Sequence, residues 1–341
     1  MKRVTINDIA QICGTSKATV SYVINGRVSK VSPEMVRKVE EAIKATGYVP
    51  SLSAKSLAGK GSKLIGVIIP QMDVSKKMIF ENPFYSEFIS GIEYYLRNAG
   101  YSIVLRVVNS DNCFADMMMK WNLDGAVVFG IDNDKMLQIL GSYKVPTLLI
   151  DSYITHKDFY KMNLRDEEAS FMATNLLIQD GHEKIALVTG KIDKSVLLSK
   201  RLDGYKRALR ENNIPFEERF IFQGDVTYEY GFSVSQKIVA QADITAVVAT
   251  ADILAFGIMN YLQLDGKKIP DDFSIIGFDD TYQAKIMYPK LTTVGQNISK
   301  RGEMAGEIIL NIIHDSQKEK ETLMSCEIIK RDTTKVLKSA E

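Results

Sequence analysis

The chain has 341 residues, 45% hydrophobic and 25% charged, with a formal net charge of +1. That length allows two or three domains, and so ordinary a composition excludes collagenous, low-complexity and disulfide-scaffold proteins. The longest apolar stretches, such as Leu64–Pro70 and Gly125–Gly130, are far shorter than the roughly 20 residues that a membrane-spanning helix needs.

The first elements are short helices. Ile6, Ile9, Ala10 and Cys13 recur at the spacing of one helical face, with Thr5 or Asn7 able to cap the start. Gly14-Thr15-Ser16 breaks that helix. Ala18, Val20, Val23 and Ile24 supply a second, ending near Asn25-Gly26. A third starts at Ser32-Pro33-Glu34, where a cap, a proline in the first turn and an acid coincide, and stops at Gly47. Residues 51–63 are small, polar and basic, the composition of a linker, with room for a short conditional helix at Leu52–Ala58.

After Lys63 apolar β-rich runs alternate with amphipathic stretches. The predicted strands are Leu64–Pro70, Tyr101–Val108, Gly125–Phe129, Thr147–Ile150, Lys184–Thr189, Ala246–Ala249 and Phe273–Phe278. The predicted helices are Phe84–Ala99, Asp134–Leu140, Asp166–Asp180, Lys200–Asn212, Tyr230–Gln241, Ile253–Leu264 and Ser299–His314. Strands followed by helices predict parallel sheets covered on both faces, here as a two-lobed body with a crevice beyond the carboxyl ends of the strands. Acids stand at several of those ends, Asp73, Asp151, Asp252 and Asp279 among them. An ionised acid there suits a hydroxylated ligand, although each acid taken singly also reads as a helix cap.

Charge is segregated. Residues 1–63 hold eleven basic side chains against four acids, so the rest of a +1 chain is acidic. A basic head on an acidic body is what a phosphate-binding module joined to a different domain looks like, or an unevenly charged solvated surface. Two short helices around a glycine-containing turn can seat the second helix in a major groove, and Ser16-Lys17-Ala18-Thr19 opens that helix with hydroxyl, ammonium and small side chains. A generic helical hairpin has the same spacing.

The run Val4–Gly26, followed by Val31–Arg37, Ile43–Pro50 and Ala54–Ala58, closely resembles the head and hinge of the lactose-repressor (LacI/GalR-type) family, and the similarity continues through nearly the whole chain. The resemblance implies an all-α helix-turn-helix head (1–50), a hinge segment (51–62) and a two-lobed, periplasmic-binding-protein-like α/β body with parallel sheets (63–335). It implies a cytoplasmic, dimeric repressor that binds a pseudo-palindromic operator and answers to a small effector, a sugar or sugar derivative. It assigns Lys17, Ala18 and Tyr22 to base edges. Ser16, Thr19, Ser21 and Asn25 take phosphate or turn positions, and Thr5 joins the DNA-contacting set. Leu57 is the hinge wedge for the minor groove, with Lys55 beside it. Many relatives carry arginine at the place of Tyr22, and a tyrosine cannot make the bidentate contact to guanine that an arginine can.

In the body, Asn82-Pro83-Phe84-Tyr85 resembles the segment that brings an aromatic, here Tyr85, to the effector. Arg201-Leu202-Asp203-Gly204-Tyr205 resembles the motif whose arginine holds it, and Gly277-Phe278-Asp279-Asp280 the strand end whose first acid binds it. Asp73 and Asp151 complete the acids expected there. Arg165 stands where many relatives have an acid, so it could accept an anionic effector such as a sugar phosphate, or pair with Glu167 or Glu168 on the surface.

Catalysis is not expected. His156, His182 and His314 lie far apart, no nucleophile or nucleotide motif occurs, and no cofactor or metal is implied. Asn7, Asp8 and Gln11 interrupt any apolar run of a secretion signal, and Cys13, Cys113 and Cys326 are scattered as in a reducing compartment. Two rival readings are a transporter's solute-binding protein, which shares the body architecture, and an activator or effector-independent regulator.

Overall fold

The structure is a computed structural model that describes residues 4–49, 61–70, 78–108, 117–118, 120–131, 134–154 and 158–337. Of the residues expected at the two sites, Lys55, Leu57 and Asp73 lie outside them. The chain divides into two compact units, Met1–Lys63 and Leu64–Glu341.

The described residues of the first unit form three α-helices, α1 (Ile6–Cys13), α2 (Lys17–Ile24) and α3 (Pro33–Thr46). Thr5 caps α1 in a reciprocal box with Asp8, so Asn7 is not the cap. Gly14 leaves α1 at φ 63°, where a side chain would be strained, and Ser16 starts α2 by accepting from the Thr19 N–H. Ser32 caps α3 and Gly47 ends it in the same left-handed conformation as Gly14. Ile9, Cys13, Val20, Val23, Val39 and Ala42 close a core that draws on all three helices. A 3-10 turn at Val28–Lys30, absent from the sequence reading, joins α2 to α3.

The second unit holds two six-stranded sheets. The first uses β1 (Leu64–Pro70), β2 (Ser102–Val108), β3 (Gly125–Phe129), β4 (Thr147–Ile150), β5 (Tyr160–Leu164) and β11 (Glu321–Met324), in the order β11-β5-β4-β3-β1-β2. Every neighbouring pair is parallel. The second uses β6 (Ile185–Gly190), β7 (Ile221–Gly224), β8 (Ala246–Ala249), β9 (Ser274–Asp279), β10 (Thr292–Gly295) and β12 (Glu327–Ile329), in the order β12-β10-β9-β8-β6-β7. Only β12 runs antiparallel to its neighbour. The α-helices among the described residues of this unit are α4 (Pro83–Asn98), α5 (Asp134–Tyr143), α6 (Asp166–Gln179), α7 (Val196–Glu211), α8 (Tyr228–Val239), α9 (Asp252–Leu264), α10 (Tyr282–Ile286) and α11 (Ile298–Ile313).

Both sheet faces are buried. Ile65, Val67 and Ile69 of β1 pack with α4 and α11, while Ile68 faces the cluster that contains Leu137 and Leu140 of α5. Near-continuous apolar strands are the signature of such doubly covered parallel sheets. The chain passes between the lobes three times, after β5, after β10 and after β11. The last two passages interlock them, because α11 returns to pack on the first lobe and β12 goes back to the second sheet.

Helices α8 and α9 approach closely through Gly231 and Gly257. A Cβ on Gly257 would lie 2.1 Å from the Tyr228 carbonyl oxygen, and one on Gly231 would lie 2.2 Å from that of Leu254. Replacing glycine in a helix ordinarily gains about 1 kcal/mol in propensity. Here the backbone contact reverses the sign: Gly257→Ala is expected to destabilise by about 1–3 kcal/mol net, read as a lower urea midpoint. An unchanged or raised midpoint would show that these helices separate freely.

Candidate functional site

The first unit presents α2 outward. Ser16, Lys17 and Ala18 are exposed at its start, and Tyr22 follows on the same face one turn beyond Ala18. The other polar residues expected on this face are fasteners as well. The Ser16 hydroxyl accepts from the Thr19 N–H at 3.1 Å and lies 3.0 Å from the Thr19 hydroxyl. The Asn25 amide donates to the Ser21 carbonyl at 2.8 Å and to its hydroxyl at 3.2 Å, closing the end of α2. The Thr5 hydroxyl donates to Asp8. Lys17, Ala18 and Tyr22 are therefore the side chains freest to meet an external partner. Lys30, which the sequence reading did not single out, is carried there by the 3-10 turn, with its ammonium 5.6 Å from the Tyr22 ring centre.

In the second unit a cavity of about 820 Å³ opens between the two lobes at the carboxyl ends of the strands. Its first-lobe wall is aromatic, with Phe84 and Tyr85 from the start of α4 and Phe129 from the end of β3 packed edge to face. The Asn82 side chain accepts from the Phe84 N–H at 3.1 Å and so fixes where these rings enter. The second-lobe wall offers Leu197, Leu198, Val226 and Ile253, with Arg201 and Asp279 at the polar end.

That polar end is assembled with few loose parts. Arg201 donates from Nε to Asp166 at 2.7 Å and from Nη1 to the Thr250 carbonyl at 2.6 Å, and its guanidinium lies 3.4 Å from the Phe278 ring centre. Asp151 leaves β4 at φ 54° and takes a donation from Arg301. Asp279 accepts from the Gln296 amide at 2.5 Å. Burial, with Asp252 nearby, holds the Asp279 carboxyl well above the usual range. Burial, with Asp151 and Asp279 nearby, pushes the Tyr85 phenol up to about 12, so it stays protonated and can donate. The cleft thus combines apolar walls for a ring with acid, phenol and guanidinium groups at one end. That pairing suits a small, flat, hydroxylated molecule.

Of the six residues expected to meet an effector, the structure brings Tyr85, Asp151, Arg201 and Asp279 together on this cavity. Arg165 stands apart from them. It is exposed and outside the cavity lining, and it takes neither glutamate, since Glu167 and Glu168 are held by Arg207 at 3.0 and 2.7 Å. The physical reason lies one residue on. Asp166 starts α6 and turns inward to Arg201, which puts its neighbour Arg165 on the opposite side. Asp252 is also structural. Buried beneath the strand ends, it accepts from the Thr281 N–H at 2.8 Å and the Thr293 hydroxyl at 2.6 Å, and burial pushes it up to about 7. Sequence reasoning missed Gln296 and Arg301, because a polar residue in a crossing segment and a cation in an amphipathic helix both look solvated.

His182 is held in a structural setting. Its ring nitrogens lie 2.9 Å from the Thr245 hydroxyl and 3.0 Å from the Ser274 hydroxyl, and burial pushes its pKa below the ordinary value. A histidine held neutral in the folded state stabilises above its unfolded value, near 6.5, and that stability is lost as pH falls through it. The melting temperature of His182→Asn, compared with wild type, is therefore expected to fall less on going from about pH 7.5 to 5.5. Parallel profiles would remove His182 from the acid response.

Among the described residues no helix is long and apolar enough to cross a membrane. Comparison with known proteins matches residues 5–51 to the bacterial regulatory proteins of the lacI family and residues 174–334 to a periplasmic binding protein-like domain. Over 341 residues the chain is 33% identical to the HTH-type transcriptional repressor PurR of Vibrio atlanticus (strain LGP32), covering 98% of this chain and 99% of that protein. A structure of the lac repressor dimer bound to operator and the anti-inducer ONPF superposes at a TM-score of 0.83 with 26% identity, covering 98% of this chain and 100% of that one. A LacI family transcriptional regulator from Enterococcus faecium with bound ribose superposes at 0.71 with 27% identity, covering 81% and 100%.

Proposed function

This chain belongs to the LacI family of bacterial regulatory proteins, and on that premise we propose how its head and its cleft divide the work. It is a DNA-binding transcriptional repressor that acts as a dimer on operator DNA and responds to a small molecule. In our reading Lys17, Ala18 and Tyr22 meet base edges in the major groove. Thr5, Ser16, Thr19, Ser21 and Asn25 hold α2 in shape and meet phosphates, and Lys55 and Leu57 serve the hinge. Two heads related by a two-fold axis then read a pseudo-palindrome. We place the protein in the cytoplasm and assign it no catalytic step.

The effector in this reading is a small hydroxylated molecule of the sugar class, held by Tyr85, Asp151, Arg201 and Asp279. The observation that carries it is the cavity itself, where aromatic rings face one wall and an acid from each lobe meets at one end. A ligand touching both lobes shifts the balance between their arrangements. Coupling of that kind is typically worth about 1–3 kcal/mol, or roughly 5- to 150-fold in operator affinity.

One experiment tests both halves. Duplexes bound by the full-length protein are selected from a random pool, with and without a mixture of neutral sugars. A palindromic motif whose recovery changes with the sugars is the expected result. Failure to enrich any palindrome would sink the head assignment. An enriched palindrome that no sugar affects would sink the effector assignment and favour an effector-independent regulator.

A further inference from the structure

One charge of the second unit is fully buried behind the cleft. Arg301, in the first turn of α11, is 0% exposed and is not among the residues that line the cavity. It lies outside the cavity lining, where its guanidinium donates to two of the three residues of a polar string, Asp151, Gln296 and Asp279. Nη2 donates to Oδ1 of Asp151, and Nη1 donates to Oε1 of Gln296 at 2.5 Å. Gln296 in turn donates from Nε2 to Oδ1 of Asp279 at 2.5 Å. Nε of Arg301 has no hydrogen-bond partner among the described residues. An arginine that merely filled space here would carry a heavy desolvation cost, and apolar residues of similar volume usually serve at least as well.

We propose that Arg301 is a positioning residue of the effector cleft, which pins one oxygen of Asp151 directly and one oxygen of Asp279 through Gln296, so that each lobe presents a single carboxyl oxygen to a neutral, polyhydroxylated effector. The inference rests on the cleft being the effector site. Its logic is one of polarity. A glutamine amide can point either way, but a donor on Oε1 turns Nε2 towards Asp279. Asp151 gains a cation on one oxygen and keeps the other for the cavity it lines. A ligand satisfied by this floor must offer a hydroxyl to the first lobe and another to the second, rather than grip one carboxylate with a vicinal pair.

The groups facing Asp151 are Arg301 of α11, Arg201 of α7, Asp166 of α6, Tyr85 of α4 and Tyr153 beyond β4. Burial raises the Asp151 carboxyl, and Arg301 is the strongest influence against that rise. Removing the guanidinium therefore lifts Asp151 further.

The full-length protein is compared as wild type, Arg301→Met and Arg301→Lys by calorimetric titration with D-ribose, D-glucose and cellobiose. Wild type is expected to bind at least one of these sugars. R301M is expected to bind it about tenfold or more weakly, the loss that one hydrogen bond to a charged group implies, and R301K to recover part of that affinity. Wild-type affinity in R301M overturns the proposal. If wild type binds none of the three, the sugar reading of the cleft fails, and Arg301 is judged on the ligand-free protein. A buried acid with a raised folded pKa costs stability as pH rises. R301M is then expected to lose melting temperature relative to wild type as pH rises above the ordinary aspartate value, about 4, and Asp151→Asn added to R301M to abolish that difference. Coincident pH profiles for wild type and R301M overturn the positioning role.

Discussion

Arg201→Leu is expected to be among the most damaging single changes in the second unit, at about 3–5 kcal/mol in urea unfolding, the usual cost of removing one partner of a buried ion pair. The reason is what remains. Asp166 has no exposed side-chain surface, and its other hydrogen bond comes from the Tyr153 hydroxyl. The Thr250 carbonyl loses a donor at 2.6 Å, and the Phe278 ring loses its stacked guanidinium. Asp166→Asn in the same chain removes the stranded charge, so the double variant is expected to regain much of the lost stability. It is not expected to regain effector binding, because the cation lining the cleft is still absent. That split separates folding from recognition. A single variant less than about 1 kcal/mol below wild type would mean that Asp166 finds water.

The parts of this architecture that were readable in the sequence share one property: local and tertiary signals agree there. Helix α3 carries a serine cap, a proline in its first turn, an apolar stripe and a glycine stop, and it runs from Pro33 to Thr46 as those signals dictate. Six of the seven strands foreseen are apolar runs whose burial is complete or nearly so, and the seventh, β2, is an apolar run at a sheet edge. The five that were missed, β5, β7, β10, β11 and β12, are short and lie at sheet margins or beside the passages between lobes. Strand β5 shows why they escaped. Its Lys161 and Asn163 break any apolar run, yet Asn163 is buried and accepts from the Ser152 N–H at 3.0 Å. A polar residue satisfied by a partner eleven positions away reads as loop until the partner is placed.

The cleft divides along the same line. Tyr85, Arg201 and Asp279 sit in motifs that could be recognised from their neighbours. Arg165 and Asp166 are adjacent, and periodicity cannot say which one turns inward. Here the acid does, because Arg201 one helix away needs a partner. Asp252 stands at a strand end like Asp279, but two threonine partners from other segments draw it beneath the floor rather than into the cavity.

Ile9→Ala in the first unit is expected to abolish operator binding while leaving the second unit folded and responsive. Ile9 is wholly buried in a core with eight buried hydrophobic side chains among the described residues. Truncating a buried isoleucine typically costs about 2–5 kcal/mol. A unit with 46 described residues before the linker can hold only about 2–7 kcal/mol of stability at ordinary per-residue values, so the loss is comparable with the whole. The second unit shares none of that core and has its own four clusters. The measurements are gel-shift affinity for the duplex selected by wild type and a calorimetric melt of the full chain. The low-temperature part of the melt is expected to shift or vanish, while the main transition and its displacement by effector stay in place. Operator affinity within a few-fold of wild type would show that the head draws its stability from DNA or from its surroundings rather than from this core.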